Sequence, residues 1–369
     1  MRLVKLRLRN FRNLAAAQIE FPSGLVVIEG NNAQGKTNLL EAIYMCCTAR
    51  SHRTFRDREV IAYGEETAFV SADCAQRDGL HRVEIGFQAN GRKSIGINGQ
   101  PVKRLGELMG HMNAVLFSPE EMSLVKDGPA WRRRFMDICL SQMKPGYFFA
   151  LQQYMKAADQ RNALLKAIQK GESGRDTLPV WEEQMAAAGA YIVQNRARFL
   201  AQLAEEAAMI HQHVSGGKER LELGYEASAQ LDAGPPLDEQ LARLWERHRE
   251  QDIRRGTTGL GPHHEDVAFL VNGQDARAFG SQGQQRTAAL AAKLAQLTVM
   301  RQEVGESPLL LLDDVFSELD EGRREMLLEY IHNTQTLLTC VDFDAKLLGG
   351  RQDGALYRMK AGVLNAHGQ

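Results

Sequence analysis

The 369-residue chain lacks several features that mark particular classes of protein. Its five cysteines are odd in number and scattered without a Cys-x-x-Cys pair, so neither a disulfide framework nor a zinc site is indicated. No apolar run approaches the length of a membrane span, and the basic N-terminus is not followed by the apolar core of a signal peptide. The formal net charge is only −1, so any nucleic-acid binding has to come from local basic patches. We therefore expect a soluble cytoplasmic protein without a membrane partner.

A phosphate-binding loop is the clearest motif in the chain. Residues 30–37 read GNNAQGKT and satisfy the pattern G-x-x-x-x-G-K-[ST]. The motif follows an apolar run at 25–28 and precedes a helical pattern, which is its required strand–loop–helix context. In such a loop the backbone N–H groups face phosphate oxygens, the lysine reaches the β- and γ-phosphates, and the hydroxyl ligates Mg²⁺. We assign nucleotide binding to the loop, with Lys36 also catalytic and Thr37 also a metal ligand; its residues are Gly30, Asn31, Asn32, Ala33, Gln34, Gly35, Lys36 and Thr37.

An apolar strand that ends in two carboxylates provides the second half of such a site. Four leucines at 309–312 are followed by Asp313 and Asp314. A rigid strand of this kind delivers its first acid to the Mg²⁺ held by the P-loop threonine, so Asp313 is the predicted metal ligand. Asp314 projects to the other side of the strand end and is the predicted catalytic residue, which orients or deprotonates the attacking water. A strand that merely ends in solvated acids is the alternative, and the P-loop makes it the weaker one.

A second anion site is predicted at residues 280–286, which read GSQGQQR and precede a helical pattern. Ser281, the backbone of Gly283 and Gln284 stand at the start of that helix, where the helix dipole favours an anion. One nucleotide cannot easily be contacted by two such helix starts within one subunit. The simplest arrangement is a head-to-tail pair of subunits, in which each Ser281 helix closes the P-loop site of its partner.

The hydrophobic patterns divide the chain into three segments. Residues 1–121 are rich in strand patterns and contain the P-loop and a β-meander, with hairpin signals at Asn90-Gly91 and Asn98-Gly99. Residues 122–255 carry helical patterns at about 130–143, 147–170, 180–214 and 237–255. Residues 256–369 return to alternating strands and helices. We predict an α/β fold in which 1–121 and 256–369 form one head, interrupted by a helical arm at 122–255.

Together these motifs resemble those of the ABC- and SMC-type head ATPases. Residues 281–286 are similar to the ABC signature, residues 312–320 to its Walker B and D-loop, and residues 5–13 to the opening of SMC-type heads. Within that superfamily the chain is most similar to the RecF family. The stretches that carry this similarity are Ser51-His52-Arg53, Pro119-Glu120, Gly128-Pro129, Arg132-Arg133-Arg134-Phe135, Gly261-Pro262-His263 and Ser317-Glu318-Leu319-Asp320.

The resemblance implies a P-loop ATPase head with a short helical arm, using ATP and Mg²⁺. It implies binding to double-stranded and single-stranded DNA at gaps or junctions, an ATP-dependent homodimer, and a RecR-like mediator protein as partner. The expected roles are recombinational repair, replication restart and the SOS response. A weak, DNA-stimulated ATPase would act as the switch that releases the dimer.

The chain departs from the related patterns at four places. His264-Glu265-Asp266 stands where the family usually has Arg-Asp-Asp. Ser118-Pro119-Glu120 replaces the glutamine of transporter-type ATPases, and Cys340-Val341-Asp342 replaces their histidine. Asp314 is one methylene shorter than the usual glutamate. Together these departures favour slow hydrolysis.

Arginines near the P-loop and at the start of the arm are the candidate DNA contacts, with solvated faces or internal ion pairs as the alternative. They are Arg7, Arg9, Arg12, Arg50, Arg53, Arg56, Arg58, Arg132, Arg133 and Arg134. Arg53 is also assigned to ATP, because it follows the P-loop helix directly. Without a recognition motif, DNA binding should be independent of sequence and strongly dependent on salt.

Two other functions stay open: the ATPase subunit of an ABC transporter, and a non-hydrolysing scaffold that uses ATP only to assemble.

Overall fold

The computed structural model describes residues 1–119, 123–228, 234–344 and 353–366. The chain forms two compact units, Met1–Met122 with Gln296–Gln369 and Ser123–Ala295. The boundary at which the chain returns from the second unit to the first, between Ala295 and Gln296, lies after the predicted segment boundary at 255/256. The reason is a strand pair formed by residues on either side of that boundary, which holds both sides in the second unit.

Strands dominate the beginning of the chain, and long helices dominate its middle. The strands are β1 (Arg2–Phe11), β2 (Leu14–Glu20), β3 (Leu25–Glu29), β4 (Thr67–Gln76), β5 (Gly79–Gln88), β6 (Ser94–Ile97), β7 (Gln100–Pro101), β8 (Ala114–Phe117), β9 (Leu221–Glu226), β10 (Asp266–Val271), β11 (Gln274–Asp275), β12 (Leu309–Asp313), β13 (Thr336–Cys340), β14 (Ala355–Lys360) and β15 (Val363–Ala366). The helices are α1 (Lys36–Thr48), α2 (Ser123–Lys126), α3 (Pro129–Met143), α4 (Pro145–Gln169), α5 (Leu178–Val214), α6 (Leu237–Arg255), α7 (Ala276–Phe279), α8 (Gln282–Val304) and α9 (Glu321–Tyr330).

The first unit contains two sheets with helix α1 between them. One sheet is antiparallel in the order β2-β1-β4-β5-β6-β7, and the other has the order β15-β14-β3-β13-β12-β8. In the second sheet β14, β3, β13, β12 and β8 run parallel. Helix α1 contacts strands of both sheets and is buried almost all round, which explains why its sequence has no polar face. The P-loop strand β3 thus lies between β14 and β13, which come from the far end of the chain.

Strand β1 shows how the basic residues at the N-terminus are presented. Leu6 and Leu8 are buried, whereas Lys5, Arg7 and Arg9, which alternate with them, lie on the other face of the strand. A register shift between Leu3 and Lys5 marks a bulge, which lets Leu3 also point into the core. The alternation of leucines and cations in residues 5–9 therefore gives β1 one apolar and one basic face.

The second unit is built on the long helices α4, α5 and α6 and a sheet in the order β11-β10-β9. The predicted helical patterns are confirmed as α3 to α6. Buried arginines tie these helices together: Arg161 bonds Glu182 at 3.0 Å and Asp252 at 2.7 Å, and all three side chains are buried. Strand β10 lies in the segment 256–369, for which alternating strands and helices were predicted, whereas its partner β9 lies in the predicted helical arm and was not predicted. Within the described ranges, no helix is both long and apolar enough to cross a membrane.

Candidate nucleotide-binding site

The P-loop at residues 30–37 connects β3 to α1 through a backbone that only glycine adopts easily. Gly30 and Gly35 have φ angles of 154° and 112°. A Cβ atom at Gly30 would lie 2.5 Å from the Met359 carbonyl oxygen, and one at Gly35 would lie 2.8 Å from the Asn13 Oδ1. The two glycines are therefore required both by their conformation and by the close approach of neighbouring chain.

The N-terminus of α1 is open to an anion. Gly35 is the N-cap, and within the described chain no side chain caps the first turn. The unpaired N–H groups of this turn point toward the loop and carry the positive end of the helix dipole. Lys36 is buried and folds over the same loop, since its Nζ donates to the carbonyls of Gly30 and Asn31, the latter at 3.0 Å. The N–H groups of the first turn of α1 and the ammonium group of Lys36 are thus both at the P-loop.

The predicted metal ligands are brought together by the fold. Thr37 Oγ1 donates to Asp313 Oδ1 at 3.0 Å, although the two residues are far apart in sequence. Thr339 Oγ1 donates to the same oxygen at 2.6 Å, because β12 and β13 place Asp313 opposite Thr339. Both Asp313 and Thr339 are buried. One carboxylate therefore joins the P-loop helix to two strands of the parallel sheet.

Thr339 was not predicted as part of the site. The signal that could have found it is a hydroxyl residue near the end of a short apolar strand, which a parallel sheet can place beside the acid of the next strand. Thr339 also holds Asp314 in place. The Asp314 N–H donates to the Thr339 carbonyl at 3.1 Å and to its Oγ1 at 3.0 Å, and the φ angle of Asp314 is 51°.

Two buried oxygen atoms at this edge of the sheet have no hydrogen-bond partner among the described residues. They are Asp314 Oδ1 and Ser118 Oγ. Ser118 directly follows β8, the strand that pairs with β12. Buried polar atoms without partners are unfavourable in a folded protein, so they mark places where a ligand or an ordered water completes the bonding. The carboxyl edge of a parallel sheet is the usual location of such a ligand.

A hairpin near the C-terminus supports the P-loop from one side. The N–H groups of Ala361 and Gly362, in the turn between β14 and β15, donate to Gln34 Oε1 at 2.6 Å and to the Gln34 carbonyl at 2.9 Å. Arg358 pairs with Glu29 at the end of β3. A Cβ atom at Gly362 would lie 2.5 Å from the Asn13 carbonyl oxygen, so this turn also packs closely against the end of β1. Neither strand of this hairpin was predicted.

The second predicted anion site lies in the second unit, at the start of α8. Ser281 Oγ accepts from the Gln284 N–H at 3.2 Å, and the Ser281 N–H donates to Gln284 Oε1 at 2.9 Å. This reciprocal pair is a capping box, and it explains why α8 begins earlier than the predicted helix. Ser281 is exposed, and the Gln284 amide also bonds Glu219 at 2.9 Å. Contact of Ser281, Gly283 and Gln284 with a nucleotide stays a prediction.

The P-loop side chains fit ATP with Mg²⁺. The glycine loop leads into an uncapped helix start that can receive phosphate, and the oxygens of Thr37 and Asp313 are the hard ligands that Mg²⁺ prefers. Asp314 presents a buried carboxylate oxygen that no described residue satisfies. Elsewhere in the described ranges, no cluster of three or more His, Cys, Asp or Glu side chains could hold a further metal.

Comparison with known proteins agrees with this geometry. The sequence model of the RecF/RecN/SMC N terminal domain matches residues 2–347. The DNA replication and repair protein RecF of Acetivibrio thermocellus is 42% identical over 368 residues, which cover 98% of this chain and 99% of that protein. The chain belongs to the RecF family.

Other members of the RecF family are similar over the same length. The RecF protein of Geobacillus thermodenitrificans is 41% identical over 371 residues, covering 99% of this chain and 100% of that protein. A solved structure of the recombination mediator protein RecF with ATP in the RecFOR pathway has a TM-score of 0.91 and 36% identity, and covers 99% of this chain and 97% of the other. An SMC head bound to the C-winged helix domain of ScpA has a TM-score of 0.58 at 16% identity and shares the fold. The predicted ABC/SMC-type head with an inserted helical arm is confirmed.

The departure from the usual RecF-family pattern at 264–266 has a structural role. Asp266 accepts two bonds from Arg132, at 2.7 and 2.8 Å. Glu265 is buried and accepts from Arg196 and from the Tyr225 hydroxyl. Arg132 is itself buried, so its assignment as a candidate DNA contact is corrected to an internal ion pair. Its neighbour Arg133 donates to the Glu265 carbonyl, and burial lowers the pKa of its guanidinium.

Two more candidate arginines of this RecF-family chain pair inside the first unit. Arg12 bonds both carboxylate oxygens of the buried Glu41, at 3.0 and 2.7 Å, instead of pointing to solvent. Arg53 lies 3.5 Å from Glu41 and donates to Asn38 Oδ1 at 2.8 Å, in the first turn of α1. Burial alone would raise the pKa of Glu41, but hydrogen bonds from Arg12 and Ser51 outweigh it and hold that pKa below its usual value. Arg53 is thus tied to the P-loop helix, and its contact with ATP stays a prediction.

The region where transporter ATPases carry a histidine is occupied by the end of β13. The Cys340 carbonyl accepts a bond from the Gly30 N–H at 3.2 Å and so fixes the start of the P-loop. Burial raises the pKa of the Cys340 thiol to about 12, which makes it chemically inert at neutral pH. Ser118 and Pro119 are described, whereas Glu120 of the same stretch lies outside the described residues.

Proposed function

We propose that this protein is an ATP-dependent DNA-binding protein that serves recombinational repair, replication restart and the SOS response in the cytoplasm. ATP binding joins two copies head to tail on DNA, and slow hydrolysis releases them. The observation that carries the proposal is the bond between Thr37 and Asp313, which completes a P-loop site in a member of the RecF family. Identity to RecF proteins over almost the full length argues against the transporter alternative.

Each residue of the site has a role that follows from its position. The first-turn N–H groups of α1 and Lys36 hold the phosphate groups, while Thr37 and Asp313 ligate Mg²⁺. When bound, Mg²⁺ neutralises charge that develops on the phosphate oxygens. Asp314 Oδ1 accepts a hydrogen bond from the attacking water and orients it. Thr339 keeps Asp313 and Asp314 in register with each other.

Dimerisation depends on the second helix start. Ser281 is exposed at the N-terminus of α8, where its hydroxyl and the helix dipole can meet a phosphate presented by another copy. The γ-phosphate held by Lys36 of one copy would then be shared with Ser281 of the other. Hydrolysis removes the shared group, so the pair separates as a ligand-controlled switch. The solved RecF structure with ATP in the RecFOR pathway supports ATP as the ligand and a RecR-like protein as partner.

Sedimentation with and without ATP and Mg²⁺ tests the proposal. The wild-type protein should be monomeric without ATP and dimeric with it. Lys36→Met should abolish dimerisation because it removes phosphate binding, whereas Ser281→Arg should bind ATP and stay monomeric. Ser173→Arg, at an exposed serine in the loop between α4 and α5, is the matched control and should dimerise normally. A wild-type monomer at saturating ATP would overturn the head-to-tail arrangement.

The role of hydrolysis is tested separately. Asp314→Asn keeps the size of the side chain but weakens its ability to orient and accept a proton from water. We expect the ATP-bound dimer of this variant to last at least about tenfold longer, since one catalytic base contributes that much or more. An unchanged lifetime would instead favour the scaffold alternative, in which ATP serves only for assembly.

A further inference from the structure

The structure separates the candidate DNA-binding arginines near the P-loop into two groups. Arg12 and Arg53 bond Glu41, and Arg7 bonds Asp73 at 3.0 Å, so these three hold the first unit together. The remaining four are exposed: Arg9, Arg50, Arg58 and Arg56, which lies 3.8 Å from the exposed Glu59. Three of the four lie in the segment of residues 50–63, between α1 and β4, which we call the 50–63 segment.

Two exposed aromatic side chains interrupt the arginines of the 50–63 segment. Phe55 is 88% exposed, and Tyr63 is exposed as fully as in an isolated residue. Tyr63 follows the isolated bridge between Ile61 and Phe11, so it stands beside the end of β1. Among the described residues no other large apolar side chain is as exposed as these two, and both stand among cations.

The 50–63 segment is held firmly in spite of its exposure. Ser51 Oγ accepts from the N–H groups of Arg53 and Thr54, at 3.0 and 3.1 Å. Lys93 reaches across to the Ala49 carbonyl and to Asp57. Farther along, the Val60 carbonyl and the Ala62 N–H bond the backbone at the end of β1, both at 2.8 Å. The two aromatic rings therefore project from a fixed backbone, so little conformational freedom would be lost when they bind a partner.

The charge of this part of the chain is unlike that of the whole. Residues 1–119 contain sixteen Lys and Arg against eleven Asp and Glu, although the whole chain has a net charge of −1. A surface with positive charge and exposed aromatic rings suits a polyanion whose flat bases are accessible. Single-stranded nucleic acid has that chemistry, because its bases are free to stack on aromatic side chains while its phosphates meet cations.

We propose that the 50–63 segment is a contact surface for single-stranded DNA, with Phe55 and Tyr63 stacking on bases and Arg50, Arg56 and Arg58 holding phosphates. This inference rests on the proposed DNA-binding function and assigns it a surface and a strand type. Bases in a duplex are already stacked on one another, so the two aromatic residues should matter little for duplex binding. The arginines should matter for both forms, since both carry phosphates.

Binding of a labelled oligothymidine strand and of a duplex of equal length, measured by fluorescence anisotropy with ATP, tests the inference. Phe55→Ala and Tyr63→Ala should each weaken binding of the single strand by about tenfold and leave duplex binding within about twofold. Phe55→Trp should keep the affinity, whereas Phe55→Leu, which is apolar but cannot stack, should resemble Phe55→Ala. Tyr191→Ala, at a half-exposed aromatic residue of the second unit, is the control and should bind both forms normally.

The outcomes separate this inference from the proposed function. If the wild-type protein binds neither form of DNA, the proposed function itself fails. If it binds both but Phe55→Ala and Tyr63→Ala bind the single strand as well as the wild type, the proposed surface is wrong and the function stands. If these variants instead lose ATP-dependent dimerisation in sedimentation, the segment is a contact between copies and the inference is overturned.

Discussion

At the scale of single residues, Thr339 connects the two acids of the candidate site. Its hydroxyl donates to Asp313 and accepts from the Asp314 N–H, so Thr339→Val should loosen both acids. We expect ATP hydrolysis to fall by about tenfold or more, with ATP binding in the absence of Mg²⁺ unchanged, because only metal and water positioning is affected. The measurements are steady-state hydrolysis and nucleotide titration with EDTA.

Thr336→Val provides a control at the other end of the same strand. Thr336 is also buried, and its hydroxyl bonds the Thr334 carbonyl away from the acids. Each variant replaces one threonine hydroxyl group of β13 with a methyl group. Equal loss of hydrolysis in both would mean that the strand, and not the link between the acids, is responsible.

A second residue, His263, makes the stability of the second unit dependent on pH. Its Nδ1 lies 2.6 Å from the Tyr154 hydroxyl and its Nε2 3.2 Å from the Thr258 carbonyl, an arrangement that fits the neutral imidazole. Burial, with His264 nearby, lowers the pKa of His263 to about 4. In the unfolded chain the pKa is about 6.5, so the unfolded state takes up the proton first. Stability contributed by this histidine is present above pH 6.5 and is lost as the pH falls toward 4.

Thermal unfolding between pH 7 and about pH 5 tests this prediction. Carboxylates with lowered pKa values, such as Glu41, take up protons only below that range, so they do not contribute to the change. The melting temperature of the second unit should fall over this interval in the wild type and fall less in His263→Gln. His213→Gln, at an exposed position on α5, should behave as the wild type. An NMR titration in which His263 becomes protonated near pH 6.5 would contradict the assignment.

At the scale of elements, the hairpin of β14 and β15 determines the shape of the P-loop. Gly362 has a φ angle of 80°, and a Cβ atom there would lie 2.5 Å from the Asn13 carbonyl oxygen. Gly362→Ala should therefore push the turn away from Gln34 and weaken ATP binding by about tenfold, on the scale of 1–3 kcal/mol for local strain. Isothermal titration with a non-hydrolysable ATP analogue measures the effect.

The matched control is Gly99→Ala, in the turn between β6 and β7. Gly99 has a similar φ angle of 77°, but none of the described atoms lies within 4 Å of a Cβ built there. Both variants carry the same backbone strain, and only the first disturbs the P-loop. If both weaken ATP binding equally, general destabilisation is the cause and the hairpin has no specific role.

The elements differ in how far the sequence could predict them. Helix α6 has the bounds predicted for it, because Gly256 stops the helix in the left-handed conformation. The P-loop and the acids after β12 were predicted because their residue types and spacing are local signals. Strand β9 and the β14–β15 hairpin were missed, since their residues are only partly buried and alternate weakly. The pairing of Asp313 with Thr339 depends on strand order, which no local pattern contains.

At the scale of the whole molecule, DNA binding should be governed by charge and not by sequence. Among the candidate DNA contacts, the exposed arginines Arg9, Arg50, Arg56 and Arg58 lie on strand β1 and in the 50–63 segment, and not on a recognition helix. We expect the affinity of the ATP-bound protein to be similar for unrelated sequences and to fall steeply as salt rises. Replacing Arg56 or Arg58 with Ala should reduce the slope of log affinity against log salt by about one each. An affinity that does not change with salt would exclude the phosphate contacts.

The strand order of the parallel sheet also has a consequence for synthesis of the protein. Strand β3, which leads into the P-loop, has β13 and β14 as its two neighbours, and both lie beyond residue 335. A ribosome adding roughly 5–20 residues per second would expose β3 for about 15–60 seconds before either neighbour emerges. During that time the apolar strand has no native partner and is open to aggregation or to chaperones. The nascent chain therefore gains a nucleotide site only near the end of its translation, and fragments that stop before β13 should neither bind ATP nor join dimers.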